Sequence, residues 1–328
     1  MHQLARFSPP KGFKNPHLQT LLPRVLFRQR PWSGDWQTFE LSDGDFVELC
    51  WYQKPDNNST RQPILLLFHG LEGSVESPYI WQTMQLAAKQ GWLTLVMHFR
   101  GCGQQPINRL PRAYHSGDTG DASEVIQYLA CNYSDSPLLV AGFSLGGNML
   151  SQLLTTHSAT AVKAATICCA PFNLHACSER IDNGFSRFYR RYLLTPLKQK
   201  VTKKISLGII PQRHPIANLD IKSMTSFFQF DDQVTAPLHG FSNVDDYYQK
   251  ASGKQFLPEI KTPTLIIHAS DDPFMSEAVI PSSKELPASV RYELSARGGH
   301  IGFIERHKGQ WQSWLPPRLI QFFKEQLQ

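Results

Sequence analysis

Pro137-Leu-Leu-Val-Ala-Gly142-Phe-Ser144-Leu-Gly146-Gly-Asn148-Met-Leu150 is the stretch on which the reading of the fold turns. Residues 137–141 form an apolar run that predicts a strand buried on both faces, and the residues after Ser144, through Leu154, are rich in helix formers. A strand that becomes a helix this abruptly holds its central residue in a strained backbone conformation. The residues two positions either side must then be small for the chain to clear itself. Gly142 and Gly146 meet that need. The turn would set the Ser144 hydroxyl at the carboxyl edge of a sheet, and the helix beginning at Leu145 would aim its amides at any negative charge formed there. A lone Gly-x-Ser-x-Gly also occurs in ordinary glycine turns. What separates the two readings is the order of elements on either side.

After a Pro-rich opening that reads as irregular, Trp36 to Tyr52 alternates apolar and polar residues around Asp43-Gly44, the pattern of a β-hairpin on an antiparallel edge. The rhythm then changes to near-continuous apolar runs at residues 63–68, 92–99, 137–141, 162–169 and 264–267, separated by helix-like segments such as 79–90 and 122–130. Strands apolar on both faces and alternating with helices predict a parallel sheet covered on both sides, an α/β fold. About 90 residues between Phe172 and Thr264 exceed what one crossover helix needs. That excess reads as a cap inserted at about 173–260 in a single domain spanning 1–328. The last strand is read at Val290 to Leu294, with a C-terminal helix from about Pro316 to Gln326.

Composition narrows the class. The 328 residues are 41% hydrophobic with a net charge of +6, enough to build a large core. No apolar run approaches the length of a membrane span, and the first ten residues lack the apolar core of a signal peptide. The expectation is a soluble cytoplasmic protein. Six cysteines without C-x-x-C spacing are expected to be reduced core residues, not a disulfide frame or a metal site. The positive charge is concentrated: Arg187, Arg190, Arg191, Lys198, Lys200, Lys203 and Lys204 share a segment with no acidic residue. That pattern argues against a nucleic-acid partner and reads as a solvated helix face, the alternative being attraction to a membrane surface or an anionic substrate.

A serine hydroxyl needs an imidazole to take its proton and a carboxylate to orient that imidazole. His300, in Arg297-Gly-Gly-His-Ile-Gly302 just beyond the last strand, is the expected base. The acid should follow the preceding strand, where Thr264 to Pro273 ends in two candidates, Asp271 and Asp272. Asp272 is favoured for its spacing from His268; the other aspartate is read as a turn cap or helix N-cap before Pro273. Two backbone donors should face the developing oxyanion: the Leu145 amide and, from the loop His69-Gly-Leu71-Glu-Gly73, the Leu71 amide. His69 and His98 are read as structural histidines, and Asp231 and Asp232 as cap residues that pair with its basic stretch.

These residues resemble the α/β-hydrolase superfamily and, within it, the YheT-like branch related to monoacylglycerol lipases and medium-chain alcohol acyltransferases. The resemblance covers nearly the whole chain. It is carried by Asn15-Pro-His-Leu-Gln-Thr20, His69-Gly-Leu-Glu-Gly73, Phe99-Arg-Gly-Cys-Gly103, Tyr114-His-Ser-Gly-Asp-Thr119, the Ser144 elbow, Phe230-Asp-Asp-Gln-Val-Thr235, His239-Gly-Phe241, Asp246-Tyr-Tyr248, Asp271-Asp-Pro-Phe274 and Gly298-Gly-His-Ile-Gly-Phe303. It implies a mostly parallel eight-stranded sheet with helices on both faces and an inserted helical cap. It also implies a Ser144–Asp272–His300 triad and carboxylic-ester hydrolase activity. Ala269 departs from the glycine many superfamily members carry there.

The expected function is a serine esterase acting through an acyl-enzyme, without metal or organic cofactor, on a small-molecule ester with a short to medium apolar acyl chain. An alcohol acyltransferase using the same acyl-enzyme is the second reading. A ligand-binding protein on a silenced hydrolase scaffold is the third, and the intact Ser144, His300 and carboxylate argue against it. Oligomeric state is not legible in the sequence.

Overall fold

The apolar runs become the interior of one sheet. A computed structural model describes residues 3–4, 7–27, 33–55 and 61–328. Its main-sheet strands are β1 (Gln3–Leu4), β2 (Asp35–Glu40), β3 (Phe46–Trp51), β4 (Ile64–Phe68), β5 (Leu93–His98), β6 (Leu138–Phe143), β7 (Val162–Cys168), β8 (Thr264–Ala269) and β9 (Val290–Ser295). They lie in the order β1-β9-β8-β7-β6-β4-β5-β3-β2. The expected eight strands are present, and the two-residue β1 adds a ninth by pairing parallel to β9. Only β3 runs against its neighbours β2 and β5, so the sheet is mostly parallel.

Residues of both alternating sets are buried throughout β3 to β6 and β8, which requires cover on each face. Helices supply it. The helix Leu145–Leu153 packs on β4, β6 and β7, while Pro78–Ala88 lies on β4 and β5 and pairs with Leu315–Leu327.

Three features depart from the sequence reading. The opening is not wholly irregular: Asn15 caps a helix at Pro16–Leu21, its side chain accepting from the His17 and Leu18 amides at 2.8 and 3.3 Å. Val290–Ser295 is not the last strand, because β10 (Ile304–His307) and β11 (Gln310–Ser313) follow as a separate hairpin. Its turn places Lys308 and Gly309 at φ +48° and +81°, the left-handed pair a tight two-residue hairpin demands. Among the cysteines, Cys131 is exposed rather than in the core.

The chain between β7 and β8 holds helices at Leu174–Ile181, Ser186–Ser206 and Val244–Ala251. Leu194, Val201, Ile210, Ile216, Met224, Phe230 and Val234 give it a small apolar core of its own.

Candidate active site

The Ser144 turn is built as the glycines require. Ser144 sits at φ +51°, ψ −121°, a conformation non-glycine residues rarely adopt, between β6 and the helix that starts at Leu145. A Cβ on Gly142 would meet the Gly146 carbonyl oxygen at 2.5 Å, and one on Gly146 would meet the main chain of Phe68 at 2.7 Å. Only glycine fits either place. Gly70 comes so near that a Cβ there would lie 3.1 Å from the Ser144 Cβ, which brings the His69–Gly73 loop against the serine.

Ser144 Oγ lies 3.0 Å from His300 Nε2, and His300 Nδ1 lies 2.8 Å from Asp272 Oδ2. The side chains of His300 and Asp272 are almost wholly buried. Phe274 stacks on the imidazole with ring centroids 4.1 Å apart, and the Phe274 amide donates to Asp272 Oδ1 at 2.8 Å. Asp271 does not reach the imidazole. Rather than capping a turn before Pro273, it accepts from the Gly299 amide at 3.0 Å and so ties down the loop that carries His300.

Reading the sequence did not reveal what holds that loop from the other side. Thr20 Oγ1 accepts from the His300 amide at 2.9 Å, and the buried Gln19 exchanges side-chain bonds with the Ile304 main chain at 2.6 and 3.3 Å. The approach explains the glycines around His300: a Cβ on Gly299, at φ +59°, would stand 2.5 Å from the Pro16 carbonyl oxygen. The signal in the sequence was the Asn15–Thr20 motif itself, for which spacing alone gave no role.

On the His69–Gly73 loop, the Gly70 amide donates to Tyr79 Oη and the Glu72 amide to Tyr114 Oη, each at 3.0 Å, and the Gly73 amide to the Gly70 carbonyl. The Leu71 amide is left without a main-chain acceptor among the described residues, as is that of Leu145. His69 and His98 are structural, as read. His69 Nε2 accepts from the Phe99 amide at 3.1 Å and His98 Nε2 from the Val75 amide at 3.0 Å. Burial holds their pKa values down to about 3 and about 4, so both stay neutral.

The basic segment is not simply a solvated face. Lys200 turns inward to Glu72, 2.7 Å away, and Lys204 is buried with its ammonium donating to the carbonyls of Leu110, Pro111 and Arg112 at 2.8, 3.3 and 2.8 Å. Burial draws Lys204 down to about 8. Cys102 lies 3.4 Å from Lys200, yet burial, reinforced by Glu72, pushes its thiol up to about 12 and keeps it protonated. Arg100 and Asp121 lock the neighbouring loop, with bidentate bonds of 2.7 Å and further pairs from Arg100 to Asp43 and Asp45.

Asp231 and Asp232 do not pair with the basic stretch. Asp232 caps the Val244 amide, and the buried Asp231 accepts from Tyr248 and Thr235 hydroxyls at 2.8 and 2.7 Å. Burial raises Asp231 to about 6. The folded state therefore holds this proton at pH values where the unfolded chain has released it, and stability falls as pH rises from about 4 to about 6. Asp231→Asn is expected to raise the thermal midpoint by a few degrees at pH 7.5, reflecting up to about 3 kcal/mol, and to leave it unchanged near pH 4. Scanning calorimetry at the two pH values checks this.

His115, Asp118 and His239 bring possible ligand atoms within 4.8 Å of one another. Arg112 already holds Asp118 at 2.6 Å, however, and with Lys204 and Arg100 it opposes further positive charge beside His239, whose pKa burial, then His115, then these cations depress to about 2. The set fits a cation poorly.

Ser144, His300 and Leu71 open onto a cavity of about 1370 Å³, whose other walls include Ile181, Leu193, Leu197, Phe230, Val234 and Leu238 from the segment between β7 and β8. A mostly parallel sheet and a strained serine at a strand-to-helix turn, beside a cavity walled in part by the chain between β7 and β8, define a class. The chain belongs to the alpha/beta hydrolase fold family, whose model matches residues 63–307. Among its relatives, the Escherichia coli (strain K12) protein named "Putative esterase YheT" is 46% identical over 316 residues, covering 96% of this chain and 92% of that one. Phospholipase ABHD3 of Mus musculus is 31% identical over 297 residues, 88% of this chain and 70% of its own. The structure of the Pyrococcus furiosus esterase Pf2001 shares the fold, with a TM-score of 0.57 over 99% of both chains at 13% identity. No helix among the described residues is long and apolar enough to cross a membrane.

Proposed function

We propose that this chain, a hydrolase acting on ester bonds, is a serine carboxylesterase that works through an acyl-enzyme on Ser144. The observation that carries the reading is the hydrogen-bonded chain Ser144 Oγ–His300 Nε2, 3.0 Å, and His300 Nδ1–Asp272 Oδ2, 2.8 Å. In the proposed cycle, Ser144 Oγ attacks the ester carbonyl as His300 Nε2 takes its proton, while the Nδ1 proton stays with His300 and is held by Asp272. The amides of Leu71 and Leu145 receive the negative charge on the carbonyl oxygen, each such donor being worth about 3 kcal/mol in related chemistry. His300 then returns the proton to the departing alcohol. Water, deprotonated by the same nitrogen, releases the acid. No metal or organic cofactor enters these steps.

In the same reading the chain is one domain, and residues 173–260 form a cap over Ser144 that supplies the apolar wall of the cavity. A volume of about 1370 Å³ exceeds the usual span of small-ligand pockets, about 300–1000 Å³. The acyl preference is therefore extended upward from short and medium chains towards lipid-like esters, in keeping with the phospholipase named among the relatives. Hydrolysis of p-nitrophenyl esters from acetyl to palmitoyl tests this: kcat/KM should rise with chain length through the medium range, and a steady fall beyond acetyl would contradict it. Adding an alcohol to the same assay separates water from alcohol as acceptor, since an acyltransferase would divert product from free acid to new ester.

A further inference from the structure

Among the described residues, eight large apolar side chains stand exposed, and six of them, Leu18, Val25, Leu26, Phe185, Phe188 and Tyr192, fall on two segments bound side to side. His17 Nδ1 meets Tyr189 Oη at 3.0 Å and its ring packs on Phe185 at 4.5 Å, while Arg24 donates to Tyr192 Oη and lies over that ring at 4.7 Å. Both segments also wall the cavity, through Leu21 and Arg24 on one and Tyr189 and Tyr192 on the other. The apolar patch is thus the rim of the cavity mouth.

The two rim segments carry charge of one sign, although Asp182 pairs with Arg190 at 2.9 Å and Glu76 lines the cavity elsewhere. Residues 7–27 and 184–207 contain no aspartate or glutamate, and Arg24, Arg187 and Arg191 are exposed. Exposed aromatic and aliphatic groups fringed by arginines match the boundary of an anionic lipid layer, where rings enter the headgroup region and guanidinium groups meet phosphate. A second copy of the chain would bring the same positive charges against one another, which disfavours a dimer through this face.

We propose that the rim formed by residues 16–26 and 185–192 docks on the surface of an anionic bilayer, turning the cavity mouth towards the lipid. This goes beyond the esterase reading but rests on it for the cavity's role. The test is co-sedimentation of the full chain with vesicles of phosphatidylcholine alone or mixed with phosphatidylglycerol. The wild type is expected to bind the mixed vesicles and to lose that binding in high salt. Val25→Ser with Phe185→Ser, two rim positions outside the cavity wall, should weaken binding by about ten-fold or more. Arg187→Gln with Arg191→Gln should remove the preference for phosphatidylglycerol, and provides a second variant if the first does not fold. Both should hydrolyse soluble p-nitrophenyl acetate at the wild-type rate. Wild-type chain that stays in the supernatant, variants that bind as the wild type does, or a dimer in solution that the rim variants dissociate would each overturn the proposal. Vesicle binding by a wild type that hydrolyses no ester would instead overturn the esterase reading and leave the docking surface standing.

Discussion

Ser144→Ala is expected to lower kcat for ester hydrolysis by about 10⁵-fold or more while leaving the protein folded. In the proposed cycle the nucleophile, the imidazole and the carboxylate act as a unit, so losing the hydroxyl removes the covalent route and leaves only what the cavity and the backbone donors contribute. The main-chain strain at φ +51° is set by the close approach of Gly142 and Gly146 and does not depend on the hydroxyl. Alanine should therefore occupy the same turn, with a thermal midpoint within a few degrees of the wild type. A variant keeping a tenth of the activity would point to a different nucleophile.

The second large effect separates the two aspartates. Asp272 Oδ1 accepts from the Phe274 amide at 2.8 Å and Oδ2 faces His300 Nδ1 at 2.8 Å. In Asp272→Asn the amide oxygen must remain with Phe274, because the carboxamide nitrogen cannot accept there. The NH₂ group then faces Nδ1, which must become an acceptor, and the ring proton moves to Nε2. An imidazole protonated at Nε2 cannot take the proton of Ser144, so kcat should fall by about 10⁴-fold with little change in KM. Asp271→Asn keeps an oxygen for the Gly299 amide and should cost less than about ten-fold. Equal losses at both positions would mean that loop order, not imidazole tautomer, sets the rate.

The sheet was legible because its strands are buried on both faces, and such strands must be continuous apolar runs. The Ser144 turn was legible because steric closure demands glycine at both 142 and 146. Other parts carry no such signature. The hairpin β10–β11 is short, polar and half exposed, so its residues 304–313 show no apolar run. Thr20 and Gln19 act on the His300 loop through side-chain to main-chain bonds across 280 residues or more, and no local pattern announces a contact of that range. Lys204 was misread for a similar reason. Its charge is satisfied by three carbonyls of a distant loop, and an ammonium held by backbone oxygens looks, in sequence, like any solvated lysine. Asp231 was expected to seek a basic partner, but two hydroxyls satisfy it within the segment between β7 and β8.

The most direct test is to trap the acyl-enzyme. Acid-quenching the protein during turnover of p-nitrophenyl butyrate and mapping the adduct by peptide mass spectrometry should place a single butyryl group on Ser144. That group should be absent from Ser144→Ala and should persist longer in His300→Ala if any forms there. A butyryl group on another side chain, Cys102 for instance, or equal labelling of Ser144→Ala, would contradict the assignment of Ser144 as nucleophile.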